Sequence, residues 1–130
     1  MLGITLDTNV YVSALEFGGI GSRLLAMARA GEFRLDVSRA ILDELVTVLR
    51  DDFRWDAYRL HFAVQELARI GNVVSPKMTL DVSTDPDDNR IIECAVEAGS
   101  NTIISSDKHV LKIGSFQGIA IVRPVDFFQP

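Results

Sequence analysis

The clearest indication of the fold is the segment from residue 85 to residue 107, which has the sequence DPDDNRIIECAVEAGSNTIISSD. Aspartate is favoured at the N-cap of a helix and proline at its first position, so Asp85-Pro86 predicts a helix start. Gly99 predicts the end of that helix, since glycine readily adopts the left-handed conformation that terminates many helices. The short run Thr102–Ile104 then predicts a strand, with polar residues between its end and Asp107. The segment is therefore a helix followed by a strand with an acid at its exit.

The same alternation of helix and strand extends outward in both directions. Apolar runs predict further strands at residues 2–6, 33–37, 73–74 and 119–122. Helical periodicity predicts further helices at residues 22–30, 39–50 and 55–70, and a short one after Asp107. Ser38 is the expected N-cap of the second of these helices. Strands that alternate with helices form βαβ units, so we expect an α/β fold with three layers, α/β/α, around a central parallel sheet of about four to five strands.

The composition is that of a globular domain. Of the 130 residues, 48% are hydrophobic and 24% are charged, unlike the charge-rich composition of disordered chains. This length suffices for one core, so we expect a single domain over residues 1–130. Cys94 is the one cysteine, which excludes an intramolecular disulfide and a Cys-rich metal site. No apolar run approaches the roughly 20 residues of a membrane helix, so we expect a cytoplasmic protein without membrane contact.

The formal net charge of −5 disfavours a protein that holds nucleic acid over a wide basic surface, because such proteins depend on many phosphate contacts. It does not exclude a nuclease. An enzyme that positions a divalent cation with carboxylates is acidic where it cuts, and needs only local cations to hold the strand. The candidate cations are Arg50, Arg54, Arg59, Lys108 and Lys112.

Two aspartates stand where predicted strands end. Asp7 follows the first strand and precedes Thr8-Asn9, and Asp107 follows Ser105-Ser106. Ligands of open parallel sheets bind beyond the carboxyl ends of the strands, so acids at these positions are candidates for chemistry. Taken alone, each aspartate is better explained as a helix cap or turn residue than as a site residue. Their occurrence at the same edge of the sheet favours a shared site.

Helical spacing selects two further acids. Glu44 has the apolar residues Ala40 and Val48 four positions before and after it, so it lies beside the buried face, whereas Asp43 points outward. Asp88 is in line with the apolar residues at three, four and seven positions further along its helix, which places it on the face that packs on the sheet. Asp87 is explained by the helix dipole alone. Whether Asp85 or Asp87 assists the site stays open.

A cluster of carboxylates indicates a bound cation. Like charges that converge repel one another and cannot all ionise unless a cation joins them. Oxygen ligands without histidine or cysteine select Mg²⁺ or Mn²⁺ over zinc. Such an ion activates water for phosphodiester hydrolysis, and this is the reaction that Asp7, Glu44, Asp88 and Asp107 predict together.

The same residues carry a resemblance to the PIN-domain ribonucleases, particularly the bacterial and archaeal toxin components of toxin–antitoxin pairs. The anchors of the match are Asp7-Thr8-Asn9-Val10, residues 38–45 with Glu44, the stretch from Asp85 to Ala95, and residues 103–108. The third is the most specific, and the resemblance runs over the whole chain. It implies a PIN-like fold with Asp7, Glu44, Asp88 and Asp107 as metal-binding acids, supported by Asn9 and Ser105. It also implies a single-stranded RNA substrate, a homodimer and an antitoxin that blocks the site.

Two other functions fit the sequence less well than an RNA-cleaving PIN domain. A magnesium-binding receiver domain needs an acidic pair after the first strand, an aspartate after the middle strand and a lysine after the last strand, none of which is found here. A PIN domain that only binds RNA is disfavoured by the four intact acids. The remaining conspicuous residues have structural explanations: His109 as an exposed helical residue, Cys94 as a core residue, and Trp55 and Phe62 as packing or dimer-interface residues, with base stacking as an alternative for Trp55.

Overall fold

A six-stranded sheet with helices around it forms the centre of the computed structural model, which describes residues 1–128. The strands are β1 Gly3–Leu6, β2 Arg34–Ser38, β3 Asn72–Val74, β4 Thr102–Ile104, β5 Ser115–Phe116 and β6 Ile119–Val122. Their order is β3-β2-β1-β4-β6-β5, and every neighbouring pair is parallel except β5 with β6. The predicted α/β fold with a parallel central sheet is confirmed. The additional strand β5 forms a hairpin with β6 through Gln117-Gly118, whose positive φ angles of 49° and 82° suit a tight two-residue turn.

Within residues 1–128, seven α-helices and one π-helical turn connect and flank these strands. They are α1 Thr8–Val12, the π-helical turn Ser13–Phe17, α2 Gly19–Arg29, α3 Arg39–Phe53, α4 Ala57–Ile70, α5 Pro86–Ala98, α6 Lys108–Leu111 and α7 Pro124–Phe127. The helical conformation of residues 8–17 was not predicted. Within residues 1–128, no helix combines the length and the apolar content that crossing a bilayer requires.

The predicted helix signals are found where the sequence places them. The Asp85 side chain accepts a hydrogen bond from the Asp87 N–H at 2.9 Å, and α5 ends at Gly99 with a φ of 70°. Ser38 caps α3 by accepting from the Ile41 N–H at 3.3 Å. Helix α4 begins at residue 57 and not at residue 55, because the side chain of Asp56 caps it by accepting from a free N–H of its first turn, that of Arg59, at 2.8 Å.

The core lies between the sheet and its helices, and α5 packs across β1, β2, β3 and β4. Within this interface Asp36 is fully buried on β2, where it accepts two hydrogen bonds from the guanidinium of Arg34 at 2.6 and 2.9 Å. Asn72 and Ser100 donate further hydrogen bonds to the same carboxylate at 3.0 and 2.7 Å. A buried charge needs such partners, so this network holds β2 to its neighbours on both sides.

The strand order reverses between β1 and β4. From β1 the chain winds outward through β2 to β3, then returns to β4 on the other side of β1 and continues to β6. The connections that leave β1 and β4 therefore diverge and open a crevice above the carboxyl ends of these two strands. Asp7 follows β1 and Ser105 follows β4, so both lie at this crevice.

Candidate metal centre at the carboxyl edge of the sheet

Asp7 is a buried carboxylate that does not cap the helix it precedes. Its residue is 6% exposed, and its side chain makes no capping hydrogen bond to α1. Instead it accepts a hydrogen bond of 2.6 Å from the Ser105 hydroxyl, which joins the exits of β1 and β4. Burial raises the pKa of Asp7. The bond from Ser105 and the nearby backbone N–H groups of Asn9 and Thr8 oppose this rise, and the charge of Asp107 adds to it. The explanation of Asp7 as a local turn former is thereby weakened.

Asp107 has a structural role as well as a place at this edge. Its side chain caps α6 by accepting from the His109 N–H at 2.7 Å, and its own N–H donates to the Ser105 hydroxyl at 3.0 Å. Ser105 is fully buried and therefore connects the two aspartates. The role of Ser105 in supporting a metal site stays a prediction.

Glu44 reaches the same crevice from α3. Its carboxylate accepts a hydrogen bond of 2.9 Å from the hydroxyl of Thr8, which is 1% exposed and directly follows Asp7. Burial raises the pKa of Glu44, the bond from Thr8 opposes this rise, and the charges of Asp87, Asp7 and Asp85 add to it. Asp43 beside it is exposed, as the helical spacing predicted.

Asp88 lies in the first turn of α5 and is 5% exposed, whereas Asp87 is exposed. The Ser83 hydroxyl donates to the Asp88 carboxylate at 3.0 Å. Asn89 fixes the loop that carries Ser83, because its side chain accepts from the N–H groups of Val82 and Ser83 at 2.9 and 2.8 Å and donates to the Ser83 carbonyl at 2.9 Å. Burial raises the pKa of Asp88, and repulsion from Asp85, Asp107 and Asp7 raises it further.

The four acids are thus electrostatically coupled across four separate elements of the fold. The charge of Asp107 raises the pKa of Asp7, and the charge of Asp7 raises the pKa of Glu44. The charges of both aspartates raise the pKa of Asp88. Asp85 and Asp87 also contribute charge to this edge, although both side chains are exposed. Carboxylates whose pKa values are raised by burial and by one another are those that a cation would stabilise in the ionised form.

The oxygen atoms of the four acids suit a hard cation, although the side chains stand too far apart to form a closed metal site. Among residues 1–128, no three His, Cys, Asp or Glu side chains are grouped closely enough to hold an ion as they stand. Mg²⁺ retains several waters and is bound through one or two carboxylates, so a closed cage of protein ligands is not required. Oxygen donors from Asp7, Glu44, Asp88 and Asp107 are the appropriate chemistry for Mg²⁺ or Mn²⁺.

The structure adds two residues that the sequence analysis did not single out and leaves one without a contact. The hydroxyl of Thr8 donates to Glu44, and that of Ser83 donates to Asp88. The position of Thr8 directly after Asp7 was a signal in the sequence, whereas no such signal pointed to Ser83. Asn9, expected to support the site, is exposed, and within residues 1–128 its side chain makes no hydrogen bond to the acids. Its supporting role stays a prediction.

The alternative roles of Trp55 are excluded by its packing. Trp55 is 7% exposed, its indole N–H donates to Glu16 at 2.6 Å, and the guanidinium of Arg59 lies 3.8 Å from the ring centroid. It is therefore available neither for base stacking nor for a dimer interface. Phe62 is exposed and contacts Tyr58 edge to face at a centroid distance of 4.8 Å. Cys94 is buried, as predicted.

Comparison with known proteins identifies the family. The family description of the PIN domain matches residues 4–109, and no curated protein matches the sequence. The solved structure of VapBC2 from Rickettsia felis, bound to a DNA fragment from their promoter, is similar at a TM-score of 0.64 and 12% identity, covering 92% of this chain and 97% of that one. VapBC-1 from nontypeable Haemophilus influenzae is similar at a TM-score of 0.64 and 16% identity, covering 95% and 99%. At these identities the two structures show a shared fold. Since the family match extends from β1 into α6 and includes every segment that carries the four acids, this chain belongs to the PIN domain family.

Proposed function

We propose that this chain is a metal-dependent endoribonuclease that cleaves phosphodiester bonds of single-stranded RNA, and that it is the toxin of a toxin–antitoxin pair. PIN domains are generally nucleases, and the chain keeps the acids that such chemistry needs. The observation that carries the proposal is Asp7, a buried carboxylate at the switch point of the sheet that caps no helix and is coupled to the other acids. A carboxylate that is buried beside other acids destabilises the folded protein, and a role in catalysis would explain why it is present.

The proposed cofactor is Mg²⁺ or Mn²⁺, held by Asp7, Glu44, Asp88 and Asp107. When bound, the cation would lower the pKa of the attacking water and would offset the negative charge that develops on the phosphate oxygens. Ser105 and Thr8 orient Asp7 and Glu44 through hydrogen bonds to Asp7 Oδ2 and Glu44 Oε2. Because Thr8 binds Oε2 of Glu44, Oε1 is the oxygen that we assign to the cation.

A cleavage assay tests the proposal with pairs of neighbouring acids. End-labelled single-stranded RNA is incubated with the protein in Mn²⁺ and in excess chelator, and we expect cuts in Mn²⁺ alone. Asp88→Asn and Glu44→Gln should lose activity about 10²-fold or more, whereas the exposed neighbours Asp87→Asn and Asp43→Asn should not. Cleavage that persists in chelator would contradict the metal mechanism. An inactive but RNA-binding parent protein would favour a PIN domain that only binds RNA.

The proposed partner is an antitoxin protein that covers the acidic edge. The two similar solved structures described above are VapBC structures, one of them bound to DNA. We therefore expect a small protein encoded next to this chain to co-purify with it and to abolish RNA cleavage. Co-purification without inhibition would contradict an antitoxin that blocks the site.

We also propose a homodimer, in which the exposed Tyr58–Phe62 pair on α4 is covered by a second copy. Two neighbouring exposed aromatic rings are unusual on the surface of a monomer, and their burial would favour association. Sedimentation should show a dimer at micromolar concentration, and Phe62→Ser should shift it towards monomer. Sedimentation of the unaltered chain as a monomer would reject this.

A further inference from the structure

A cavity of about 480 Å³ opens beside the acidic edge. One wall is the hairpin formed by α1, the π-helical turn and α2, which contributes Val10, Phe17 and Ile20. The other wall follows β4 and β6 and contributes Ser106 and Arg123. Because Val10 is three residues from Asp7 and Ser106 directly precedes Asp107, whatever fills this cavity lies next to the proposed metal centre.

The mouth of the cavity presents an open aromatic ring. Phe17 is 73% exposed and touches Phe53 edge to face, with centroids 5.8 Å apart and an interplanar angle of 79°. Ile20 lines the same cavity and is also exposed, so the two side chains form an apolar patch at its mouth. Ser13 and Ser106, which carry hydroxyl groups, also line the cavity. The cavity therefore combines an apolar surface for a flat ring with groups that form hydrogen bonds.

A cationic side chain, that of Arg123, lines the cavity and stays partly exposed although it is ion-paired. Arg123 pairs with Asp126 at 2.8 and 3.1 Å, and its side chain remains 59% exposed. Strand β6 pairs with β4, so Arg123 stands two strands from Asp7, or about 10 Å at the usual strand spacing. Lys108 and Lys112 are exposed on α6, which contacts β6. These cations lie on one side of the acids and provide a route for phosphate groups.

We propose that this cavity binds one base of single-stranded RNA next to the phosphate that is cut, with Phe17 stacking on the base and Arg123 contacting an adjacent phosphate. The assignment rests on the proposed ribonuclease function. The cavity volume lies within the range of roughly 300 to 1,000 Å³ that small ligands occupy. An open phenyl ring and a partly exposed guanidinium in the same cavity suit a flat base and the phosphate attached to it, which together make one nucleotide.

The stacking contact is tested by RNA binding in the Asp7→Asn background, which we expect not to cut. The probes are fluorescein-labelled RNA octamers of one base type and an octamer in which every base is removed. Phe17→Ala should weaken binding of the RNA octamers about 5- to 100-fold and leave the abasic octamer unchanged. Val73→Ala, which trims another exposed apolar side chain on β3, at the opposite end of the sheet from β6, is the control and should change neither.

The phosphate contact is tested by the salt dependence of the same binding. Each phosphate contact with a single strand contributes a slope of about 0.7 in the logarithm of affinity against the logarithm of salt concentration. Arg123→Gln should reduce the slope by that amount. Arg69→Gln is the control, because Arg69 also pairs with an acid three residues away in an exposed position and should leave the slope unchanged.

These measurements separate failure of the cavity assignment from failure of the proposed function. If the Asp7→Asn protein binds none of the RNA octamers, the ribonuclease function and the cavity assignment both fail. If it binds them and Phe17→Ala binds as tightly as Val73→Ala, only the cavity assignment is overturned, and a protein segment becomes the remaining occupant. A loss confined to Phe17→Ala and to RNA that carries bases supports the assignment.

Discussion

Replacing Asp7 by asparagine should stabilise the metal-free protein while abolishing its activity. The folded state raises the pKa of Asp7, chiefly by burial, so at neutral pH the folded protein holds a charge that it disfavours. Asparagine removes the charge and keeps an oxygen that accepts from Ser105. Neutralising a strained functional carboxylate typically gains about 0.5 to 2 kcal/mol in the free energy of unfolding.

The expected shift is measurable by thermal melting. For a domain of this length, about 1 kcal/mol corresponds to a Tm change of about 3 to 5 °C, so Asp7→Asn should melt a few degrees higher in chelator. The difference should shrink as the pH falls towards 4. An acid whose pKa is raised on folding binds its proton more tightly in the folded state, so the unaltered protein gains stability as Asp7 is protonated.

Mn²⁺ should reverse the order of the two melting temperatures. An ion that binds only the folded state stabilises it by about 2.7 kcal/mol at a hundredfold excess over Kd, and the variant lacks one ligand. Asp43→Asn is the control, because Asp43 is exposed and should respond to metal as the unaltered protein does. The reasoning is refuted if Asp7→Asn melts well below the unaltered protein in chelator and both respond equally to Mn²⁺. In that case Asp7 is a structural turn residue.

Three further outcomes follow from contacts in the core and at the site. Thr8→Val removes the hydrogen bond to Glu44 and should lower Mn²⁺ affinity, measured by calorimetry, about 10- to 100-fold, while Thr8→Ser should restore it. Burial raises the pKa of the Cys94 thiol to about 12. A thiol-specific disulfide reagent at pH 8 should therefore leave the native protein unmodified and react only in urea. Rapid reaction without urea would show that α5 opens. Arg34→Ala leaves the buried Asp36 without its ion pair. This should lower the free energy of unfolding, measured by urea titration, by about 2 to 4 kcal/mol. A loss below about 1 kcal/mol would show that the hydrogen bonds from Asn72 and Ser100 are enough to stabilise the buried charge.

Local signals account for what the sequence predicted well. Asp85-Pro86 and Gly99 bound α5 because a cap and a left-handed terminator act within a few residues. The outward positions of Asp43 and Asp87 follow from helical periodicity, and the fold class follows from the alternation of elements. Each of these features depends on the neighbouring residues alone.

The features that were missed depend on distant residues or on weak propensities. Residues 8–17 are helical although Val10 and Val12 are β-branched, because burial against α3 outweighs their low helix propensity. The buried role of Asp36 was signalled only by Arg34, two residues earlier on the same face of β2. The partners of Ser105 and Ser83 were set by the tertiary fold.

The position of β1 has a consequence for the newly synthesised chain. This strand precedes its neighbour β4 by about a hundred residues, and the bond from Ser105 to Asp7 spans 98 positions of sequence. Contacts of such long range form late in folding, since a long loop must close before they are gained. A ribosome-bound fragment that ends before β4 therefore carries Asp7 and Glu44 but neither Ser105 nor Asp107. If the acids cut RNA as proposed, the growing chain is harmless to the RNA that encodes it until most of its length has emerged and folded.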